Sequence, residues 1–270
     1  MNGESSLKMV QNNTNAIPNA LARALQHWAC YICDVNRSQI LNEGSIKYAI
    51  SEYLEIAKVI KPENINSLAP IISDYKFEYT HPIFVSRSID LKINYKANNT
   101  DRESYYEFKY ARERNISKSE SARFIDDIFR LASIVVNWPN NEAYFLLMGP
   151  KQHIENLLNT RKNVATIKYP LDKEKVSTED YKVNISKMLS LDKDAPAVTF
   201  IPSDLNPYDG MDQIDRFNEE YSNIRKNGAV PHVIQEGTLI TTELIHTNSD
   251  FVSHDDIIVN VWRISTKIPK

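Results

Sequence analysis

The chain has 270 residues, of which 42% are hydrophobic and 25% are charged, a balance typical of globular proteins that bury a substantial core. Its net charge of −3 excludes a strongly basic protein that coats nucleic acid without specificity, so contact with a polyanion needs a local basic patch. The sequence has no Gly-rich phosphate-binding loop, which argues against ATP hydrolysis. It also has no apolar run of transmembrane length and no signal-peptide pattern at its start. We therefore expect a cytoplasmic protein without a membrane partner.

The N-terminal region begins with a polar segment, residues 1–15, that we expect to be mobile. A helix is predicted over residues 18–35, and it carries Cys30 and Cys33 at C-x-x-C spacing. A zinc site needs two further ligands, and the sequence has no second cysteine pair. The helical context also differs from that of a thioredoxin-like redox motif. Both thiols are therefore interpreted as structural.

A second amphipathic helix is predicted over residues 42–60, because apolar side chains recur there at helical spacing. At roughly 100° per residue, Glu43 lies about 50° from the centre of the apolar stripe, whereas Glu52 and Glu55 lie on the opposite side. Glu43 is therefore expected to face whatever the helix packs on. It is either a functional carboxylate or an N-terminal cap or dipole partner.

Residues 88–93 and 105–110 predict two strands of a β-hairpin, with a tight turn at Asn98-Asn99. A turn centred on this pair places Asp90 directly opposite Glu107. Because side chains alternate between the two faces of a strand, Glu107 and Lys109 share a face. The same alternation predicts one common apolar face for three residues of the first strand, Ile89, Leu91 and Ile93.

Two carboxylates that face each other across a hairpin repel, which costs stability or raises a pKa unless a cation lies between them. A hard divalent ion such as Mg²⁺ suits this arrangement, because it binds carboxylate oxygens, water and phosphate. The alternative interpretation is a surface hairpin with ordinary charges on its exposed face.

The following region predicts a helix over residues 117–137, opened by the capping box of Ser117 and Glu120. Its outer face is expected to carry Arg123, Asp127 and Arg130. A continuous apolar run at residues 143–148 then predicts a strand covered on both faces. This order of helices and strands predicts an α/β protein built as an α/β/α sandwich. Further elements are predicted beyond it: strands at residues 165–169, 197–201, 239–245 and 257–264, and a short helix at residues 211–224.

A helix with Glu43, a strand with Asp90 and a following strand with Glu107-x-Lys109 resemble the PD-(D/E)xK nuclease superfamily, which has the restriction-endonuclease-like fold. The resemblance spans residues 41–149, and Ile89 stands where the family usually has proline. It implies a three-layer α/β/α sandwich with a central mixed sheet. It also implies a Mg²⁺ ion, for which Mn²⁺ can substitute, held by Asp90, Glu107 and the carbonyl group of Phe108.

The resemblance further implies a metal-dependent endonuclease that hydrolyses phosphodiester bonds, in DNA rather than RNA, in bacterial restriction, defence or DNA processing. A homodimer is expected because double-strand cleavage needs two active sites, and a partner subunit of a defence system is a further option. Two alternatives remain open: a non-catalytic nucleic-acid-binding or interaction protein on the same fold, and an RNA-cleaving toxin. The implied catalytic residues are Glu43, Asp90, Glu107 and Lys109, and the candidate contacts to the nucleic-acid backbone are Arg87, Arg112, Arg114 and Lys118.

On this interpretation, residues 16–160 form a nuclease-like α/β core with N-terminal helices. Residues 161–270 form a C-terminal extension. The pattern leaves three roles open for that extension, since it can complete the sheet, recognise a target or make a dimer.

Overall fold

The computed structural model describes residues 15–59, 70–81, 88–112, 118–159, 164–168, 181–202, 234, 237–248 and 257–268. In this part of the chain four helices accompany a mixed, mostly antiparallel sheet of seven strands, which confirms the predicted α/β class. None of the helices in these ranges is long and apolar enough to cross a membrane. The predicted helix at residues 211–224 and the segment before residue 15 lie outside the described residues. The helices are α1 (Ala16–Asp34), α2 (Glu43–Val59), α3 (Lys118–Asn137) and α4 (Lys151–Asn159).

The strands of the described residues are β1 (Ile71–Tyr79), β2 (Ile89–Ala97), β3 (Thr100–Tyr110), β4 (Glu142–Pro150), β5 (Val164–Lys168), β6 (Tyr181–Asn184), β7 (Ala197–Pro202), β8 (Leu239–Thr247) and β9 (Ile257–Lys267). Seven of them are arranged in the order β1-β2-β3-β4-β9-β8-β7. A short hairpin, β5 and β6, continues the sheet by pairing with β7 at two positions. Strand β9 lies directly beside β4, so strands from the C-terminal region extend the sheet that begins with β1.

Strands β2 and β3 form the predicted hairpin. Asn98 and Asn99 have φ values of 51° and 59°, the left-handed conformation that a type I′ turn requires at both central positions. The ladder then runs from Ala97 opposite Thr100 to Leu91 opposite Tyr106, so the predicted register is confirmed over this length. One step further along, the same register leads to Asp90 and Glu107.

Helix α2 begins at Glu43 because Asn42 and Ser45 cap it reciprocally. The N–H of Ser45 donates to Asn42 Oδ1 at 3.1 Å, and the N–H of Asn42 donates to Ser45 Oγ at 2.8 Å. These bonds satisfy backbone donors that the first turn leaves without helical partners. The cap fixes Glu43 as the first helical residue.

The hydrophobic core consists of two clusters that receive alternate side chains of β4. Phe145 and Leu147 belong to the cluster formed with α3 and α4, whereas Tyr144 and Leu146 belong to the cluster formed with α1 and α2. All four side chains are fully buried, as the continuous apolar run predicts. Strand β4 therefore lies at the centre of the sheet with apolar packing on both faces.

One prediction for β2 is wrong. Ile89 packs in the cluster with α3, whereas Leu91 and Ile93 pack in the cluster with α1 and α2. The described β2–β3 ladder ends at Leu91, and beyond it the side chain of Asp90 binds the β3 backbone. The regular alternation of faces therefore does not continue from Leu91 back to Ile89.

The turn offers a test of the hairpin geometry. Asn99→Ala is expected to lower the free energy of unfolding by about 1 kcal/mol, because a Cβ-bearing residue other than Asn or Asp strains at positive φ. Asn99→Gly is expected to equal or exceed the wild type, since Asn-Gly is a favoured type I′ pair. Urea unfolding of the three proteins measures the difference. Equal stability of the Ala and Gly variants would contradict the turn assignment.

Candidate functional site

The candidate site begins where β2 and β3 stop pairing through their backbones. The N–H of Phe108 donates to Asp90 Oδ2 at 2.8 Å, and the carboxyl group of Glu107 donates to that of Asp90. Asp90 is 7% exposed and Glu107 only 1% exposed. The structure thus brings together the two acids that the register places opposite each other, and it buries them. The alternative of ordinary charges on an exposed hairpin face does not fit this burial.

The pKa values of the two acids are shifted in opposite directions. Burial raises the pKa of Glu107 well above its ordinary value, and Asp127 raises it further. Burial also acts to raise the pKa of Asp90, but hydrogen bonds from Lys47, Glu107 and the Phe108 N–H outweigh it and hold that pKa below its ordinary value. Ionisation is therefore favoured at Asp90 and disfavoured at Glu107.

Lys109 lies on β3, two residues beyond Glu107, and its ammonium group contacts two carboxylates. Its Nζ is 2.8 Å from Asp127 Oδ2 and 3.7 Å from Glu43 Oε2. Burial acts to lower the pKa of Lys109, but Asp127 and Glu43 outweigh burial and raise that pKa. Lys109 is thus held as a proton donor and a positive charge rather than as a base.

Glu43 reaches the site from the first turn of α2. Its contact with Lys109 places it on the side of the helix that the apolar stripe predicts. Burial is the largest influence on the pKa of Glu43 and raises it, although Lys109 acts to lower it. The four residues of the motif, Glu43, Asp90, Glu107 and Lys109, are therefore neighbours in the structure.

Helix α3 contributes two site residues that the sequence analysis assigned wrongly to its outer face. Asp127 and Arg130 are buried, three residues apart, and they pair with each other. Arg130 Nη2 also lies 2.9 Å from Glu107 Oε1, and Arg130 Nη1 donates to the carbonyl of Ser88 at 3.1 Å. The prediction failed because it assigned charged residues on this face of the helix to solvent, whereas the acids on the sheet give a charged face a buried partner.

Lys47 is a further site residue that the sequence analysis missed. Its Nζ is 2.7 Å from Asp90 Oδ1 and also contacts Glu78 Oε1 at the end of β1. Lys47 follows Glu43 by four residues, so helical spacing alone puts both side chains on one face. That spacing was an available signal. Glu78 was missed because no strand was predicted over residues 71–79, although Tyr75 and Phe77 alternate there with exposed polar residues.

The candidate nucleic-acid contacts are only partly placed. Arg112 is exposed just beyond the end of β3. Arg87 and Arg114 lie outside the described residues. Lys118 is the first residue of α3, and its side chain is not among those described.

Comparison of the chain with protein-family models, with curated proteins and with solved structures finds no match. The resemblance to the PD-(D/E)xK superfamily therefore depends on the four motif residues themselves. Among the described residues, no group of three or more His, Cys, Asp and Glu side chains has the arrangement of a metal site.

The oxygen chemistry of the acid pair nevertheless fits a cation. Glu107 Oε1 is buried, and in the described part of the chain it lies 2.9 Å from Arg130 Nη2, so a positive group already stands beside it. The donor set of Asp90, Glu107 and the Phe108 carbonyl is composed of hard oxygens, the type that Mg²⁺ and Mn²⁺ bind.

The raised pKa of Glu107 predicts a pH-dependent stability. A carboxyl whose pKa is raised in the folded state contributes its full stabilisation below the ordinary value of 4.5, and the contribution falls as pH rises above it. Glu107→Gln removes this fall, because an amide does not ionise. The variant is therefore expected to gain stability relative to wild type as pH rises from 4.5 towards neutrality.

Urea unfolding of both proteins across this pH range, in EDTA to remove divalent cations, measures the difference. Glu52→Gln on the exposed face of α2 is the control and is expected to show no such trend. A difference between Glu107→Gln and wild type that stays constant with pH would contradict the assignment of the proton to Glu107.

The ion pairs of α3 predict a strong energetic coupling. Asp127→Asn removes the carboxylate that faces both Lys109 and Arg130, and it is expected to lower the free energy of unfolding by about 3 kcal/mol. Adding Arg130→Gln to this variant is expected to cost less than Arg130→Gln alone, with a coupling energy of about 1 kcal/mol or more. A double-mutant cycle by urea unfolding measures the coupling, and additive effects would contradict it.

Proposed function

We propose that the protein is a divalent-cation-dependent nuclease that hydrolyses phosphodiester bonds. The observation that carries the proposal is the burial of Asp90 together with Glu107, close to the ammonium group of Lys109. Burying two acids against each other costs stability, and oppositely shifted pKa values in one cluster are typical of functional sites. The order of these residues, a helical Glu, then Asp in one strand and Glu-x-Lys in the next, resembles that of the PD-(D/E)xK superfamily.

The charge of the cluster supports a divalent ion. Its contacts join five acidic side chains to three basic ones. With every acid ionised, the excess of two negative charges equals the charge of one Mg²⁺ ion. The acidic members are Glu43, Glu78, Asp90, Glu107 and Asp127, and the basic members are Lys47, Lys109 and Arg130.

The residues that would hold the ion are Asp90, Glu107 and the carbonyl group of Phe108, with Mg²⁺ as the ion and Mn²⁺ as a substitute. When bound, the ion would stabilise negative charge on the scissile phosphate and acidify a water molecule. Glu107 gives up its proton on binding, since carboxyl ligands bind metal in the ionised form.

The chain's own cations complete the proposed mechanism. Asp127 and Glu43 keep Lys109 protonated, so its ammonium group donates hydrogen bonds and positive charge to a phosphate oxygen. Arg130 lies beneath Glu107 and balances its charge once the proton has left. Glu43, which is partly exposed, orients water at the edge of the site.

The finer description of the fold is part of this proposal. The alternation of β4 side chains between two helix-covered clusters supports a three-layer α/β/α sandwich of the restriction-endonuclease-like type. We propose DNA as the substrate, cut by a cytoplasmic homodimer in bacterial defence or DNA processing, alone or with a partner subunit. Exposed Arg112 is proposed to contact the nucleic-acid backbone, together with Arg87, Arg114 and Lys118.

A cleavage assay tests the proposal with plasmid DNA and with RNA, each in Mg²⁺ and in EDTA. Wild type is expected to cut DNA only with Mg²⁺. Glu107→Gln and Lys109→Met are each expected to lose activity at least about a hundredfold, because each removes a group that acts on the phosphate or the ion. Lys58→Gln, an exposed substitution at the end of α2, is the matched control and retains activity.

Each other outcome has a clear meaning. Cleavage that is unchanged in both variants would remove the proposed catalytic centre. Cleavage of RNA alone would favour the toxin alternative. Binding of DNA without cleavage under any condition would favour the non-catalytic alternative.

A further inference from the structure

Both carboxylate oxygens of Asp90 are engaged in the structure. Oδ2 accepts the N–H of Phe108 at 2.8 Å, a bond that belongs to the backbone of the hairpin. Oδ1 lies 2.7 Å from Lys47 Nζ. Asp90 Oδ1 is the oxygen that makes no bond to the backbone, and the Lys47 ammonium group already contacts it. A divalent ion that binds Asp90 must therefore compete with Lys47 for this oxygen.

The same ammonium group has a second carboxylate within reach. Lys47 Nζ also contacts Glu78 Oε1, and Ser88 Oγ donates to Glu78 Oε2 at 2.6 Å. The side chain of Glu78 is 59% exposed, whereas that of Asp90 is 10% exposed. Lys47 thus bridges a buried acid of the site and an exposed acid at the end of β1, and Ser88 fixes the exposed one in place.

We propose that Lys47 is a resident counter-ion that competes with the divalent cation for Asp90, and that it moves to Glu78 and to a substrate phosphate when the cation binds. The inference rests on the proposed function and names a regulation of the same site. An ammonium group and a divalent cation repel strongly at contact distance in a buried site, so Asp90 Oδ1 holds one of them at a time. The three N–H donors of Lys47 allow it to keep Glu78 as a partner after it leaves Asp90.

The consequence is a coupling between metal and nucleic acid. The ammonium group of Lys47 is partly exposed, so a phosphate at the site attracts it away from Asp90. Metal and phosphate then favour the same arrangement of Lys47. Bound metal raises the affinity of the protein for nucleic acid, and bound nucleic acid raises its affinity for metal by the same factor. Without nucleic acid, Lys47 stays on Asp90 and metal affinity is low.

Mn²⁺ binding to the substrate-free protein, followed by electron paramagnetic resonance of the free ion, tests the competition. Lys47→Gln is expected to bind Mn²⁺ roughly tenfold more tightly than wild type, a factor typical of coupled sites. Lys47→Arg keeps the charge and is expected to bind weakly, as wild type does. Lys58→Gln controls for the general loss of one positive charge from α2 and is expected to change affinity little.

A second cycle tests the role of Glu78. Glu78→Gln removes the alternative partner of Lys47, so it is expected to weaken Mn²⁺ binding in wild type. In the Lys47→Gln background, Glu78→Gln is expected to change Mn²⁺ affinity little, because Glu78 then has no ammonium group to bind. Equal effects of Glu78→Gln in both backgrounds would show that it acts through general electrostatics, and would overturn the transfer.

The coupling itself is measured by the fluorescence anisotropy of a labelled DNA duplex. Lys109→Met serves as a common background that suppresses cleavage and leaves the contacts of Lys47 intact. Mn²⁺ is expected to raise duplex affinity roughly tenfold when Lys47 is present, and much less in the double variant Lys47→Gln, Lys109→Met.

The outcomes separate this inference from the proposed function. If wild type cleaves DNA and binds Mn²⁺, but Lys47→Gln binds Mn²⁺ no more tightly, the competition is wrong and the nuclease stands. If neither wild type nor Lys47→Gln binds Mn²⁺ and no nucleic acid is cut, both the proposed function and the inference are wrong.

Discussion

The hydrogen bond from the Phe108 N–H to Asp90 Oδ2 is the interaction on which the site depends. The described backbone ladder of β2 and β3 ends at Leu91, the neighbour of Asp90. At the next position, this side-chain bond takes the place of a backbone hydrogen bond. It holds the Asp90 carboxylate against β3, within hydrogen-bonding reach of Glu107. The bond also stabilises the ionised form of Asp90 and helps to hold the pKa of this acid below its ordinary value, whereas burial raises the pKa of Glu107.

The rest of the cluster compensates for this concentration of acid. Arg130 and Asp127 of α3 connect Glu107 to Lys109 in a buried chain of ion pairs. Such a chain contributes little net stability compared with apolar packing, but its geometry tolerates few alternatives. It fixes how α3 lies against β3 and keeps the Lys109 ammonium group in one place. The site is therefore buried on the α3 side and more open on the α2 side, where Glu43 and Glu78 reach solvent.

Local sequence patterns predicted a large part of this arrangement. The Asn98-Asn99 pair set the hairpin register, and the apolar periodicity of α2 placed Glu43 on the correct side. Both features depend on residues close together in the chain, where turn chemistry and helical spacing act directly. The buried strand β4 was equally evident from its unbroken apolar run.

The features that escaped prediction depend on contacts between distant residues. Asp127 and Arg130 look like solvent-facing charges until the acids of β3 are placed beneath them. Two omissions had a usable local signal. Lys47 is spaced four residues from Glu43 on one helix. Glu78 lies in a strand whose aromatic side chains alternate with exposed polar ones, a pattern from which no strand was predicted.

The position of β4 between β3 and β9 has a consequence for how the molecule is assembled. Strand β3 pairs with β4 on one side, and β4 is completed on its other edge only by β9, which follows more than a third of the chain later. Closing so long a loop is slow, and until it closes β4 presents an unpaired, strongly apolar edge. Any chain in which β9 has not yet docked therefore exposes its central strand to pairing with other chains, so the docking of β9 is also what protects this protein from aggregation.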